Sequence, residues 1–186
     1  MSPTLLLKNA LVIATMDDEQ REIANGSVFI RGNRVEAVGP ASEMPDTADK
    51  VIDMTGHVLI PGLINTHHHM FQSLTRALPA AQDAELFDWL TALFPVWQNI
   101  TPAMQRAASR TAMAELMLSG CTTAADHAYL YVNGTRLDDS VQAAQEMGMR
   151  FHAVRGAMSL GQSQGGLPPD ALVEQDEDAI LKEMQR

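Results

Sequence analysis

From Pro61 onward the chain alternates strand-like stretches with helix-like ones, and that alternation limits the possible fold more than any other feature. The apolar run "VLIPGLIN" reads as a buried strand. "AELFDWLTALF" (84–94) has helical spacing and is expected to stop at Pro95, because proline has no amide to donate and crowds the preceding turn. "TPAMQRAASRTAMAELMLSG" opens with Thr101 as a cap and Pro102 in the first turn, and closes on Gly120. "CTTAADH" (121–127) is expected as a strand, "DDSVQAAQEMGM" as a helix capped near Asp139, and "RFHAVR" (150–155) as a further strand. Helical crossovers between successive strands imply parallel pairing, so the class is α/β. The commonest enzyme architectures of that class are the open doubly wound sheet and the closed (β/α)8 barrel. No Gly-x-Gly-x-x-Gly follows the first such strand, which weighs against dinucleotide binding.

Residues 1–60 have a different texture. "LLLKNALVIAT", "SVFIRGNRVEAVG" and "KVIDMTGHVLI" look like strands joined by tight turns. Val28 and Ile30 alternate along the middle one, Gly32-Asn33 supplies a turn, and Val35 and Val38 follow on the return strand, so a small antiparallel unit is expected. At the other end, "GAMSLGQSQGGLPPD" is a loop long enough to act as a flap over a site. The last stretch is an acidic amphipathic helix in which Asp178 and Lys182 are spaced to pair.

The net charge of −10, from 23 acidic against 13 basic residues, would repel a phosphate backbone, so nucleic acid is excluded as a partner. Cys121 is the single cysteine and has no internal disulfide partner; the amino terminus lacks a basic leader. No apolar run approaches the ~20 residues needed to span a bilayer. A soluble, cytoplasmic protein is the expectation.

The chemistry-bearing stretch is "PGLINTHHHMFQ", residues 61 to 72. Side chains on extended chain alternate faces, so His67 and His69 point one way and His68 the other. An isolated His-x-His on a strand is more often two surface histidines. Here an apolar run leads straight into the pair, placing it where a buried strand surfaces, and imidazole is a good ligand for zinc or iron.

At these residues the sequence resembles the amidohydrolase superfamily, whose members carry a Pro-Gly, a few apolar residues and then His-x-His at the first barrel strand. The spacing His67-x-His69-x-x-Gln72 followed by "FDWLTALFPVW" is similar to its guanine deaminase and triazine hydrolase branch. "HHHMFQSLTRALP", "GCTTAADHAYLY" and "RLDDSVQAAQEMGMRFHAVRGAMSLGQSQGGLPPD" look most like 8-oxoguanine deaminases. The resemblance implies that residues 1–60 are the amino-terminal part of a small β-sandwich domain. It implies that residues 61–186 are the first roughly three βα units of a (β/α)8 TIM-type barrel.

It also implies one divalent metal, zinc or alternatively iron, that readies a water molecule to displace the exocyclic amine of a small heterocycle as ammonia. His67 and His69 would be metal ligands. Gln72 would read the edge of the ring and Trp89 would wall it, although a tryptophan beside Leu86, Leu90 and Leu93 at helical spacing is by default core. His127, at the end of the second strand, would touch substrate or orient a ligand, or else serve as a hydrogen-bonded structural histidine. His57 and His152 receive no catalytic role, and Arg155 either meets a substrate carbonyl or pairs with a neighbouring carboxylate.

A closed barrel takes ~250 residues, so this chain holds only its start. The third histidine ligand, a glutamate proton shuttle, a further histidine and a metal-binding aspartate are expected beyond residue 186. Two histidines do not reach the three protein ligands usual for catalytic zinc, so the chain alone is expected to be inactive. The leading expectation is therefore the amino-terminal portion of an oxidised-purine aminohydrolase, homo-oligomeric at full length and free of membrane. The alternatives are an aminohydrolase of a hydroxytriazine, guanine or pterin ring, and a truncated, non-catalytic fragment or partner.

Overall fold

The computed structural model describes residues 2–186, which divide into two units, one ending at Pro61 and the other Gly62–Arg186. Among the described residues no helix is long and apolar enough to cross a membrane.

The first unit is a five-stranded sheet built around β1 (Thr4–Ala14). Strands β2 (Glu22–Arg31) and β3 (Arg34–Pro40) form the hairpin expected at Gly32-Asn33, where Gly32 takes the left-handed φ of +59° that the tight turn demands. Strands β4 (Lys50–Asp53) and β5 (Val58–Leu59) run parallel to β1, so the unit is not wholly antiparallel. Strand direction depends on the path of the connecting chain, which the residue alternation does not encode. The buried side chains of β2 are Ser27 and Phe29, whereas Val28 and Ile30 are only half-buried. The large aromatic ring therefore decides which face packs inward. Asn9 makes a bulge in β1 with φ of +64°, and its amide donates to the Ser27 hydroxyl at 3.2 Å.

The second unit is mixed α/β. Its sheet has three parallel strands in the order β6 (Leu63–Asn65), β7 (Cys121–Ala128), β8 (Arg150–Arg155). Between them run α1 (Leu86–Trp97), α2 (Pro102–Leu118) and α3 (Leu137–Met147), and α4 (Glu177–Met184) follows. The Thr101 hydroxyl accepts from the Met104 amide, Pro102 occupies the first turn of α2, and Gly120 closes the connection at φ of +87°.

Three local expectations need correction. Helix α1 runs through Pro95 to Trp97, because proline removes a single helical bond near the end while fully buried Trp97 anchors the last turn. Helix α3 starts after Arg136, and Asp139 serves one turn in, accepting the Arg136 amide at 2.8 Å. Among the described residues Asp178 and Lys182 form no ion pair. Arg136 pairs with Glu183 instead, and Arg186 pairs with Glu183 and Asp138, since the planar guanidinium fork suits carboxylates better than a lone ammonium does.

Two apolar clusters fill the unit. One joins Phe71, Leu93, Phe94, Trp97, Ile100 and Leu130; the other joins Met70, Met113, Cys121, Ala124, Ala144 and Met149. Met70 and Phe71, consecutive in sequence, are thus buried in different clusters directly after the histidine run. At roughly 1.5–3 kcal/mol for burying each such side chain, they nail that segment to the core.

Candidate metal and substrate site

Strand β6 ends at Asn65, and four residues, Thr66 to His69, carry the chain from it to a 3-10 turn (Met70–Thr75). Main-chain bonding to β7 resumes there: the His127 amide donates to the His68 oxygen at 2.9 Å. The His67 and His69 rings stand edge to face with centroids 5.1 Å apart, on one side of the chain. His68 forms no ring pair with either. It is half-buried, its Nδ1 has no hydrogen-bond partner, and burial holds its pKa below the ordinary imidazole range.

His69 is held in one tautomer. Its Nδ1 lies 2.7 Å from the main-chain oxygen of His127, and a carbonyl can only accept, so Nδ1 carries the proton and Nε2 keeps its lone pair free. Burial lowers the His69 pKa and neighbouring His127 and His67 add to that, against the raising effect of the bond to the His127 carbonyl. A neutral ring with one committed nitrogen is the form a metal ligand needs.

A cavity of about 470 Å³ opens beside these rings, lined by His67, His69, Gln72, Leu78 and Trp89, with His68 and Arg76 also contributing to its wall. Gln72 donates from Nε2 to the Tyr129 hydroxyl at 2.9 Å, which leaves its carbonyl oxygen free. Trp89 is half-buried. It packs edge to face on Trp97 at 5.5 Å, so it belongs partly to the core and partly to the cavity wall. His127 does not line this cavity, but its ring sits 5.5 Å from that of His69. A Cβ on Gly156 would come within 2.5 Å of the His127 ring, so a larger residue there would push that ring aside.

Arg155 resolves toward the carboxylate alternative. Its side chain is 8% exposed, it pairs with Glu174, and its guanidinium lies 4.2 Å from the centre of the Tyr131 ring.

Two residues escaped the sequence reading. Tyr129 lies beyond the end of β7, with its ring 5.0 Å from that of His69; its position two residues past His127 was the available signal. Asp126 is fully buried and accepts the Met70 amide at 2.8 Å. The clue was a carboxylate sharing strand parity with Ala124 and Ala128, both buried.

The residues present fit part of a divalent-metal site, because a neutral His69 with Nε2 free faces a second imidazole. Among the described residues no group of three or more histidine, cysteine, aspartate or glutamate side chains is gathered.

Residues 58–185 match the model of the amidohydrolase family. The chain is 43% identical to the 8-oxoguanine deaminase of Pseudomonas aeruginosa, over 97% of this chain and 40% of that protein. It is 33% identical to an isoxanthopterin deaminase of an unknown prokaryotic organism, over 99% of this chain and 39% of that protein. Among solved structures it is similar to an atrazine chlorohydrolase from Arthrobacter aurescens TC1 complexed with zinc, with a TM-score of 0.86 and 30% identity, covering 96% of this chain and 41% of that one. The chain thus spans about two fifths of the length of the relatives it matches.

Proposed function

We propose, from the premise that this chain belongs to the amidohydrolase family, that it is the amino-terminal portion of a metal-dependent aminohydrolase that deaminates an oxidised purine such as 8-oxoguanine. The observation that carries this reading is the pairing of the His67 and His69 rings at 5.1 Å beside a cavity that also takes in Gln72 and Trp89. The parallel sheet of the second unit is read as the opening of a (β/α)8 barrel, and the first unit as part of a β-sandwich domain. Likeness to a zinc-complexed hydrolase at 30% identity supports a divalent metal, zinc first and iron second.

When bound, such a metal supplies Lewis-acid chemistry that makes hydroxide available near neutral pH. His67 and His69 would hold it from this chain. Three protein ligands are the usual minimum, so the rest of the set and the proton shuttle are assigned to other parts of the protein. Gln72, with its carbonyl oxygen uncommitted, accepts an N–H of the heterocycle and fixes which ring carbon faces the metal. Trp89 and Leu78 supply apolar wall against the ring faces, and the hydrogen bond from His69 to the His127 carbonyl sets the ligand's orientation. A homo-oligomeric, cytoplasmic enzyme goes with this reading.

A pterin ring is the second reading, favoured by the 33% identity to an isoxanthopterin deaminase. Ammonia release by the protein expressed from its complete gene, measured on 8-oxoguanine, guanine, a hydroxytriazine and isoxanthopterin, separates these. Preference for 8-oxoguanine is the expected result; preference for the pterin moves the assignment to the second reading, and silence on every purine overturns the first.

A further inference from the structure

We infer that Asp126 is a positioning residue for His69, holding from the neighbouring strand the main chain that carries the ring. The inference rests on the reading of His69 as a metal ligand.

Asp126 is the one fully buried carboxylate among the described residues. Its Oδ1 accepts the amide of Met70 at 2.8 Å, across 56 positions of sequence. The residue after it completes the hold: the His127 amide donates to the His68 oxygen at 2.9 Å, and the His127 oxygen accepts from His69 Nδ1 at 2.7 Å. Two consecutive residues of β7 thereby fasten the consecutive residues His68, His69 and Met70. This hold matters because the run has left β6, and its own ladder, by Thr66.

Met70 also opens a 3-10 turn, and the first amides of such a turn have no partner within it. The usual remedy is a capping side chain just before the turn, but that position is His69, which makes no such cap. Asp126 does the capping from another strand and leaves the imidazole free. The Ser140 hydroxyl on α3 also bears on the carboxylate, while Oδ2 makes no hydrogen bond of ordinary geometry. A buried carboxylate with one oxygen unmet is a poor way to fill a core, and an apolar residue of similar size would pack there at less cost. The bond of ordinary geometry that it makes is to the Met70 amide, for which a charged acceptor makes the stronger partner.

The test uses metal-free protein from the complete gene, with zinc affinity measured by competition against a chromophoric chelator and the His69 tautomer read from imidazole nitrogen resonances. Asp126→Ala and the size-matched Asp126→Leu are expected to weaken zinc binding by about 10–100-fold and to release His69 from its fixed tautomer. Asp126→Asn, which keeps a carbonyl acceptor for Met70, is expected to restore most of both. Ile180→Ala, a buried substitution on α4 away from the histidine run, controls for general loosening and is expected to change neither. Wild-type affinity and a fixed tautomer in the Ala or Leu variants would overturn the inference, as would an equal loss in Ile180→Ala. A wild-type protein that takes up no zinc would sink the metal reading, while the tautomer measurement would still decide the role of Asp126.

Discussion

Gln72 spends one amide hydrogen on the Tyr129 hydroxyl, 2.9 Å away, across the cleft between the 3-10 turn and the end of β7. Both side chains are half-buried, and burial raises the Tyr129 pKa while the bond from Gln72 pulls against it, so the phenol stays neutral and accepts. The bond fixes which end of the amide faces the cavity. Tyr129→Phe removes that restraint and lets the amide turn over. A neutral hydrogen bond is worth about 0.5–1.5 kcal/mol, which corresponds to a fall of roughly two- to tenfold in kcat/KM. Steady-state ammonia release is expected to show the loss mainly in KM, because the role proposed for Gln72 is to bind the ring and not to transfer a proton.

Side-chain parity separates the three histidines experimentally. Metal analysis of purified variants is expected to show His67→Ala and His69→Ala stripped of most of their metal, each having lost one imidazole from the paired rings. His68→Ala is expected to keep its metal, since its ring pairs with neither neighbour. Retention of full metal content by His67→Ala would refute the assignment of that residue.

How much of this was legible beforehand differs from residue to residue. Helix α2 could be read at both ends, because Thr101, Pro102 and Gly120 act through local backbone chemistry that the sequence states outright. The spans of β7 and β8 were equally local. The end of α1 was not, since Pro95 obeys its local rule only until burial of Trp97 outweighs one missing bond. The parallel pairing of β4 and β5 with β1 joins residues about forty-five positions apart, as Leu5 with Lys50, and no local pattern carries that. At the site, the facing of His67 and His69 followed from parity alone, whereas the contacts of Asp126 and Tyr129 depend on how two strands and a turn meet.

Burial of Asp126 raises its carboxyl from 3.8 to about 6, against the lowering effects of the Met70 amide and the Ser140 hydroxyl. The folded state therefore binds a proton more readily than the unfolded chain between about pH 4 and pH 6. Stability arising from this group is greatest below pH 4, falls as pH rises through that window, and is flat above it. Near 1.4 kcal/mol per pH interval, the ceiling is about 3 kcal/mol. Urea unfolding at pH 4.5, 5.5 and 7 is expected to show this downward component in wild type and its absence in Asp126→Asn. Lowered carboxylates such as Asp138 and Glu183 act in the opposite sense at more acid pH, so the difference between the two proteins is the quantity to read.

Burial also ranks the ion pairs. Arg155, with 8% of its side chain exposed, rests on Glu174 and on the face of Tyr131, while Arg76 and Glu115 pair in the open at 57% and 50% exposure. Removing one member of a buried pair strands the other charge in a poorly solvated place, at a cost of about 3–5 kcal/mol when both are fully enclosed. Glu174 keeps 27% exposure, so Glu174→Ala is expected to cost somewhat less, about 2–3 kcal/mol. Glu115→Ala leaves its arginine in water, and its unfolding midpoint is expected to stay where it was. The cation over Tyr131 adds a second reading: Tyr131→Leu, which removes the aromatic face and keeps apolar bulk, is expected to cost more once Glu174→Ala has left that ring as the remaining partner of the guanidinium. Denaturant titrations of the single variants and of the Glu174→Ala, Tyr131→Leu double variant measure that coupling. If Glu174→Ala unfolds at the same denaturant concentration as Glu115→Ala, then Arg155 is solvated in solution and the enclosed pair is not what holds the end of β8.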